Sequence, residues 1–115
     1  MNSNSVIKEE WKQISRCPEY SVSDYGRVRR DKNGFEPHLN TLRRGYERVK
    51  LWNEDDFKHY YFYRHELVTE AFLPKPEGNW VLCHKNGNLI DNRVTNLEWL
   101  KLEEKNTSKM AVKKT

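Results

Sequence analysis

The stretch of sequence that decides the fold is residues 80–99, WVLCHKNGNLIDNRVTNLEW. It opens with an apolar run, typical of a short buried strand, that ends in His84. A polar loop rich in asparagine follows, and asparagine favours turns because its side chain bonds to nearby backbone groups. A second apolar run starts at Leu97. The stretch therefore predicts a β-hairpin in which a histidine stands between the first strand and a long polar loop.

A helix is predicted on either side of this hairpin. In His65–Phe72 the apolar residues recur at the spacing of one helical face, and Pro74 and Pro76 end the helix. Residues from about Glu103 onward also suit a helix. Strand, loop, strand and helix together predict a ββα unit, which we place within residues 64–112.

The part of the chain before this unit, residues 10–63, predicts a β-meander of short strands separated by turns. The Asn33-Gly34 step favours a tight hairpin turn. From Arg48 to Leu51 cationic and aliphatic residues alternate, which gives the meander one core face and one basic face. The whole chain is thus predicted to be one α+β domain. The candidate strands are Trp11–Ile14, Tyr20–Ser23, Arg27–Arg29, Gly45–Trp52 and Phe57–Tyr63.

Composition narrows the class of protein. The chain has 115 residues, the size of one domain, and a net charge of +4. It has no apolar run that could cross a membrane and no secretion signal at its start, so a cytoplasmic location is expected. Cys17 and Cys83 are too far apart for a zinc finger. Between Arg27 and Lys50, eight Lys or Arg residues face three Asp or Glu residues. That concentration suits a polyanionic partner, with a solvated basic surface as the alternative.

The hairpin resembles the core of HNH endonucleases of the phage homing type. The resemblance rests on His84-x-Asn86-Gly87-Asn88, Asn92-Arg93 and Asn96-Leu97-Glu98-Trp99.

Two upstream blocks resemble other parts of the same enzymes. Arg64–Pro74 is similar to the helix that precedes the catalytic core. Trp11, Tyr20–Ser23 and Gly26–Arg29 resemble the nuclease-associated modular (NUMOD-type) motif at the N-terminus. The resemblance implies a NUMOD-like, β-rich DNA-binding region over 10–63, followed by an HNH ββα-metal unit over 64–112.

The resemblance also implies a chemistry, the metal-dependent hydrolysis of phosphodiester bonds in double-stranded DNA. It assigns His84 as the general base and Asn96 as the residue that orients the imidazole. His65 and Asn92 are expected to support the site. The expected cofactor is a divalent ion, usually Mg²⁺, with Mn²⁺ or Zn²⁺ as alternatives. The predicted DNA contacts are Arg27, Arg29, Arg30, Arg43, Arg44, Arg48 and Lys50.

Two positions depart from the family pattern at the metal. The residue before the general base is usually Asp or Asn, and here it is Cys83, whose thiol prefers softer metals than Mg²⁺. A small packed strand residue is its alternative role. The second ligand is expected at Asn106, one residue further along than the family spacing. Cys83 and Asn106 are therefore the predicted metal ligands.

Three functional hypotheses follow from these residues. The first is an active nicking endonuclease that binds DNA as a monomer or weak dimer. The second is a degenerate relative that binds DNA without cutting it, with Cys83 marking a lost metal site. A protein–protein module is the least favoured, because it leaves the asparagine pattern without an explanation.

Overall fold

The structure, a computed structural model, describes residues 8–37 and 40–102. Its first element is an antiparallel meander of three short strands, β1 (Trp11–Gln13), β2 (Tyr20–Ser23) and β3 (Val28–Arg30). β2 is the central strand and is buried along its whole length. The small sheet is therefore built around β2.

A second antiparallel meander contains β4 (Asn40–Arg43), β5 (Tyr46–Asn53) and β6 (Lys58–Tyr63), with β5 in the centre. Arg44 and Gly45 join β4 to β5 with φ angles of +55° and +87°. Two residues with positive φ between paired strands form the tight turn that matches the natural twist of a hairpin. Arg43 and Tyr46 are paired across this turn.

The strands of the second meander have one apolar and one polar face, as the alternation predicted. Val49 and Leu51 are fully buried on β5, and Phe62 is buried opposite them on β6. Arg48 and Lys50 point to the other side of the sheet, because neighbouring residues of a strand alternate in direction. The prediction of one core face and one basic face is confirmed.

Helix α1 (Arg64–Phe72) begins directly where β6 ends. Its buried face is formed by residues such as Leu67 and Val68, which enter the core. The last turn of the helix contains no basic residue, and Lys12 of β1 supplies one. The Lys12 Nζ donates to the carbonyl oxygen of Ala71 at 3.1 Å, so a cation from another element complements the negative end of the helix.

The predicted hairpin is present as β7 (Trp80–His84) and β8 (Leu97–Lys101), with a 3₁₀ turn, Val94–Asn96, just before β8. One side of the hairpin lies against the core, and the other side is partly open. Val81 is 44% exposed and Leu100 38% exposed on the open side. The prediction of a fully buried first strand was therefore wrong for one of its two faces.

A single hydrophobic core joins both meanders, the helix and the hairpin. This arrangement confirms the predicted α+β class with an N-terminal meander. Within the described residues no helix is long and apolar enough to cross a membrane. Burial raises the pKa of the Cys17 thiol to about 11, so it packs as a neutral group. The core residues are Ile14, Cys17, Tyr20, Val22, Val28, Val49, Leu51, Phe62, Leu67, Val68 and Leu97.

Two details of the fold differ from the sequence prediction, and a third predicted element lies outside the described residues. β4 was not predicted. The chain does turn at the Asn33-Gly34 step, where Gly34 has a φ of +73°, but this turn does not join two strands of one sheet, since β3 pairs with β2 and β4 pairs with β5. The predicted terminal helix from about Glu103 lies outside the described residues.

A buried cation ties the parts of the fold together. Arg64, at the start of α1, is 9% exposed, and its Nε lies 3.2 Å from Glu47 of β5. Its Nη1 donates to the carbonyl oxygen of Gly26, in the turn between β2 and β3, at 2.8 Å. Burial lowers the pKa of Arg64 and Glu47 opposes that effect, so the guanidinium stays charged.

We expect Glu47→Gln to lower the free energy of unfolding by about 2–3 kcal/mol. Removing one partner of a buried ion pair costs about 3–5 kcal/mol, and Glu47 keeps some contact with solvent. Urea denaturation measures the effect. Glu70→Gln is the matched control, because its pair with Arg16 is exposed and contributes less than about 1 kcal/mol. Equal losses in both variants would contradict the structural role of Arg64.

Candidate active site

His84 ends β7 and is 9% exposed. Its Nε2 lies 2.8 Å from the side-chain oxygen of Asn92, which is 3% exposed. An amide oxygen only accepts hydrogen bonds, so Nε2 carries the proton of the neutral ring and donates it to Asn92. The lone pair of the ring is then on Nδ1. His84 is thus held in the tautomer whose Nδ1 can accept a proton.

Two aromatic side chains, Tyr46 and His65, lie next to His84, and Tyr63 packs against both of them. Tyr46, Tyr63, His65 and His84 together form what we call the aromatic cluster. The ring centroid of His84 lies 5.6 Å from that of His65 and 6.0 Å from that of Tyr46. Tyr63 completes the cluster at 5.4 Å from His65. The second meander, the helix and the hairpin each supply at least one member, so the tertiary fold assembles this cluster.

His65, which the sequence predicted as a supporting residue, is a neutral member of the cluster. Burial, with a smaller effect of the nearby His84, lowers the pKa of His65 to about 4. Its Nδ1 is buried and has no hydrogen-bond partner among the described residues. His65 therefore adds no positive charge beside His84 at neutral pH.

Asn96, to which the resemblance assigns the orientation of the imidazole, has its side-chain hydrogen bonds within the loop. Its side-chain amide donates to the side-chain oxygen of Asn86 at 3.0 Å and to the carbonyl oxygen of Asp91 at 2.9 Å. Its side-chain oxygen accepts from the backbone N–H of Asn86 at 3.1 Å. Both amide hydrogens are occupied within the loop, so the orienting bond to His84 comes from Asn92 instead.

Asp91 and Arg93 form a second local contact in the loop. The Arg93 guanidinium donates two hydrogen bonds to the carboxylate, at 2.8 and 2.7 Å. These bonds, with a further one from Asn86, lower the pKa of Asp91 to about 2. The Asp-x-Arg spacing therefore lets Asp91 and Arg93 form an ion pair with each other, next to Asn92.

The loop rests on the turn between β2 and β3. The backbone N–H of Val94 donates to the carbonyl oxygen of Asp24 at 2.8 Å. Gly26 has a φ of +85°, and a Cβ built on it would lie 2.9 Å from the carbonyl oxygen of Asn92. Only glycine fits this position, because any side chain would strain the backbone and collide with the loop. The first meander thus fixes the position of Asn92, the residue that is hydrogen-bonded to His84.

The predicted metal position, Cys83, lies on the opposite face of the hairpin strand from His84. Its cross-strand partner is Glu98, so the thiol and this carboxylate share one face. The described part of the chain contains no cluster of three or more His, Cys, Asp or Glu side chains. The other predicted ligand, Asn106, lies outside the described residues. Cys83 and Glu98 alone therefore do not make a complete metal site within residues 8–37 and 40–102, and they do not share a face with His84.

The predicted DNA contacts fall on two different sheets. One group lies in or beside β3 and another in β4, β5 and the turn that joins them. The first group is Arg27, Arg29 and Arg30, and the second is Arg43, Arg44, Arg48 and Lys50.

Several residues of the site were not assigned from the sequence. Tyr46 lies on the same face of β5 as Arg48, and no sequence signal connects it with His84, which is far along the chain. Glu98 was noted only as part of a motif, and strand pairing places it beside Cys83. The cross-strand register of the hairpin could have indicated that pairing, once His84 was set opposite Leu97.

Comparison with known protein families gives two matches along the chain. Residues 9–52 match the NUMOD4 motif, and residues 62–106 match the HNH endonuclease family. Together with the fold, these matches show that the chain belongs to the HNH endonuclease family and carries a NUMOD4 motif before its HNH region. The resemblance stated from the sequence is confirmed.

Individual relatives come from viruses of bacteria and of amoebae. DNA endonuclease I-HmuI of Bacillus phage SP01 is 35% identical over 92 residues, which is 79% of this chain and 52% of the relative. HNH endonuclease L245 of Acanthamoeba polyphaga mimivirus is 33% identical over 90 residues, 78% of this chain and 26% of the relative. The chain therefore spans between about a quarter and a half of the length of these relatives.

A solved structure, described as DNA binding and cleavage by the HNH homing endonuclease I-HmuI, shares the fold. It matches with a TM-score of 0.70 and 32% sequence identity, over 92% of this chain and 60% of that chain.

We expect Gly26→Ala to destabilise the protein by about 2–4 kcal/mol, from left-handed backbone strain together with the collision with Asn92. Gly34→Ala is the matched control. Gly34 has a similar φ of +73° but nothing within 4 Å of an added Cβ, so only strain of about 1–2 kcal/mol is expected. Urea denaturation of both variants separates the two effects. If the two variants lost the same stability, the contact with the loop would be unimportant.

We expect His65 to make the protein less stable as the pH falls from about 6.5 to 4. The unfolded histidine takes up a proton near pH 6.5, whereas the native one does so only near pH 4. Unfolding is therefore favoured progressively through this window, and the penalty stays constant below it. His65→Phe should reduce this loss, measured as the free energy of unfolding at several pH values. His59→Phe, which removes an exposed histidine from β6, is the control. The same reduction in that variant would show that the pH dependence does not come from the buried His65.

Proposed function

We propose that the chain is a divalent-metal-dependent endonuclease that nicks double-stranded DNA, with His84 as the general base. The hydrogen bond from His84 Nε2 to Asn92 carries the proposal, because it leaves Nδ1 as the atom that can take a proton. The named activity of the relative I-HmuI, a DNA endonuclease, supports DNA as the substrate. Since the chain covers only part of its relatives, the activity is proposed for the residues present here.

The proposed reaction is hydrolysis at phosphorus. His84 Nδ1 takes a proton from a water molecule as the water oxygen bonds to phosphorus, and the bond from phosphorus to one sugar oxygen breaks. That oxygen leaves as an alkoxide and gains a proton from solvent. The imidazolium that forms keeps its Nε2–H bond to Asn92, and the neutral His65 beside it adds no opposing charge. His84 then returns its extra proton to solvent.

A divalent ion would supply charge neutralisation at the phosphate and at the leaving oxygen. Cys83 and Asn106 remain the predicted ligands, and because Asn106 lies outside the described residues, the described donors alone do not form the ion's site. A thiolate favours softer ions, so we propose that Cys83 shifts the preference away from Mg²⁺ and toward an ion such as Zn²⁺.

The thiol at position 83 also favours a second hypothesis, a DNA-binding relative that no longer cuts. Such a protein would keep the orientation of His84 and lose only the metal. A monomeric or weakly dimeric state and a cytoplasmic location stay predictions under both hypotheses.

Nicking of supercoiled plasmid tests the proposal. We expect the native chain to nick with at least one of Mg²⁺, Mn²⁺ and Zn²⁺, and His84→Ala to lower the rate by about 10²–10⁴, the usual contribution of a general base. His59→Ala is the matched control, since it removes an exposed histidine from β6. Cys83→Asp should raise activity with Mg²⁺ relative to Zn²⁺, because an oxygen ligand replaces sulfur.

Three outcomes would decide against the proposal. Cutting by Cys83→Asp with none by the native chain would identify a DNA-binding relative whose metal ligand is lost. Failure of every variant with every metal, or equal losses in His84→Ala and His59→Ala, would exclude His84 as the general base of a nuclease.

A further inference from the structure

Some of the predicted DNA-binding cations already form ion pairs with carboxylates of the protein, and others do not. Arg27 lies 2.6 Å from Glu9 and 2.6 Å from Glu36, and Arg30 lies 2.8 Å from Glu54. A phosphate could use either arginine only by displacing a carboxylate. The basic character of the first meander in the sequence is therefore largely neutralised in the folded protein.

The neighbouring Arg29 is also engaged within the first meander. Its guanidinium lies 3.9 Å from the ring centroid of Trp11, and the Arg27 guanidinium lies 5.3 Å from the same ring. Such stacking fixes the side chains against β1. These arginines serve the packing of the first meander against the segment that contains Glu9 and Trp11.

The cations of the second meander differ from Arg27 and Arg30 in having no carboxylate partner within the described residues. Within residues 8–37 and 40–102, no carboxylate forms an ion pair with Arg43, Arg44, Arg48 or Lys50. Arg48 donates to the hydroxyl of Thr41 at 3.1 Å, a neutral partner that leaves its charge uncompensated. The positive charge that remains available for a polyanion is thus on this sheet.

Strand register places these cations on one surface. On β5, Arg48 and Lys50 share a face, and their cross-strand partners on β6 are Tyr63 and Tyr61. Tyr61 lies between the two cations, 4.4 Å from the Arg48 guanidinium and 6.0 Å from the Lys50 Nζ, measured to its ring centroid. This outward face of β4–β6 combines cations and aromatic rings, the composition of surfaces that bind nucleic acid.

The outward face ends at the candidate active site. Tyr46 lies on the same face two residues before Arg48, a distance of about 7 Å along a strand. The ring of Tyr46 contacts His65 and lies 6.0 Å from the ring of His84. A phosphodiester backbone held over Arg48 and Lys50 could therefore continue past Tyr46 to His84.

We propose that the outward face of β4–β6 is the surface that binds duplex DNA and directs one strand to His84, while the arginines of the first meander hold the fold together. This inference rests on the proposed function for its substrate. It departs from the sequence prediction, which gave both groups of cations the same role. The occupant is a DNA duplex, because the uncompensated charge is positive and lies next to the residue that would act on a phosphate.

The test compares two double variants that each remove two positive charges. Arg48→Gln with Lys50→Gln changes the outward face, and Arg27→Gln with Arg30→Gln changes the first meander. Binding to a fluorescent duplex of arbitrary sequence is measured by anisotropy over a range of salt concentrations, and thermal unfolding is measured in parallel. Plasmid nicking by the native chain is followed separately.

We expect the outward-face variant to weaken binding at least about tenfold and to reduce the slope of log affinity against log salt by about 2, with little change in unfolding. The first-meander variant should change the slope by less than about 1 and should unfold at a lower temperature, because it breaks internal ion pairs. Lys50→Gln alone, which breaks no hydrogen bond of the described structure, should reduce the slope by about 1 and guards against misfolding of the double variant.

The inference is overturned if the first-meander variant loses as much binding as the outward-face variant or more, if the outward-face variant binds like the native chain, or if the native chain binds no duplex. Binding that depends on Arg48 and Lys50, without nicking by any variant or metal, would instead support the surface and reject the proposed nuclease.

Discussion

The contact on which the rest of the structure depends is the one between the bare backbone of Gly26 and the carbonyl of Asn92. Gly26 receives a hydrogen bond from the buried Arg64, and Asn92 receives one from His84. Two hydrogen bonds and the close packing of Gly26 against Asn92 therefore connect the helix, through the turn of the first meander, to the imidazole. Each link is buried, so a change at one is not relaxed by water and is passed to the next.

The basic residues of the two meanders have different surroundings. The first meander holds most of its arginines against carboxylates and an aromatic ring, whereas the second meander leaves its cations beside neutral groups. Between them the aromatic cluster excludes charge, since burial keeps His65 neutral. The uncompensated positive charge and the neutral His65 beside His84 therefore lie in different parts of the fold.

Short-range patterns predicted what short-range forces decide. The alternation from Arg48 to Leu51 gave the orientation of β5 correctly, and the apolar spacing in His65–Phe72 gave α1 correctly. β4 was missed because three of its four residues are polar and because it pairs with β5 through the Arg44-Gly45 turn, where an arginine takes a conformation that usually needs glycine or asparagine. His84 bonds to Asn92 and not to Asn96 because of the directions in which these side chains point, and the spacing of asparagines in the sequence does not give those directions.

The sequence shows how many basic residues the stretch contains, but it does not show which of them have carboxylate partners in the fold. Net charge counts Arg27 and Lys50 equally, while the fold gives Arg27 two carboxylate partners from segments on either side of it. The placement of Glu98 beside Cys83 likewise follows from strand register, which joins residues that the linear motif treats separately.

The fit of Gly26 against Asn92 has a consequence for how such proteins can exchange parts. The two matched segments, residues 9–52 and 62–106, read along the chain as separate modules. In three dimensions the turn between β2 and β3 in the first segment supports the loop between β7 and β8 in the second. A recombination that joined an HNH segment to a foreign N-terminal segment would succeed only where the incoming turn offers the same side-chain-free backbone. The two segments are therefore structurally dependent on each other, although their motifs are separate along the chain.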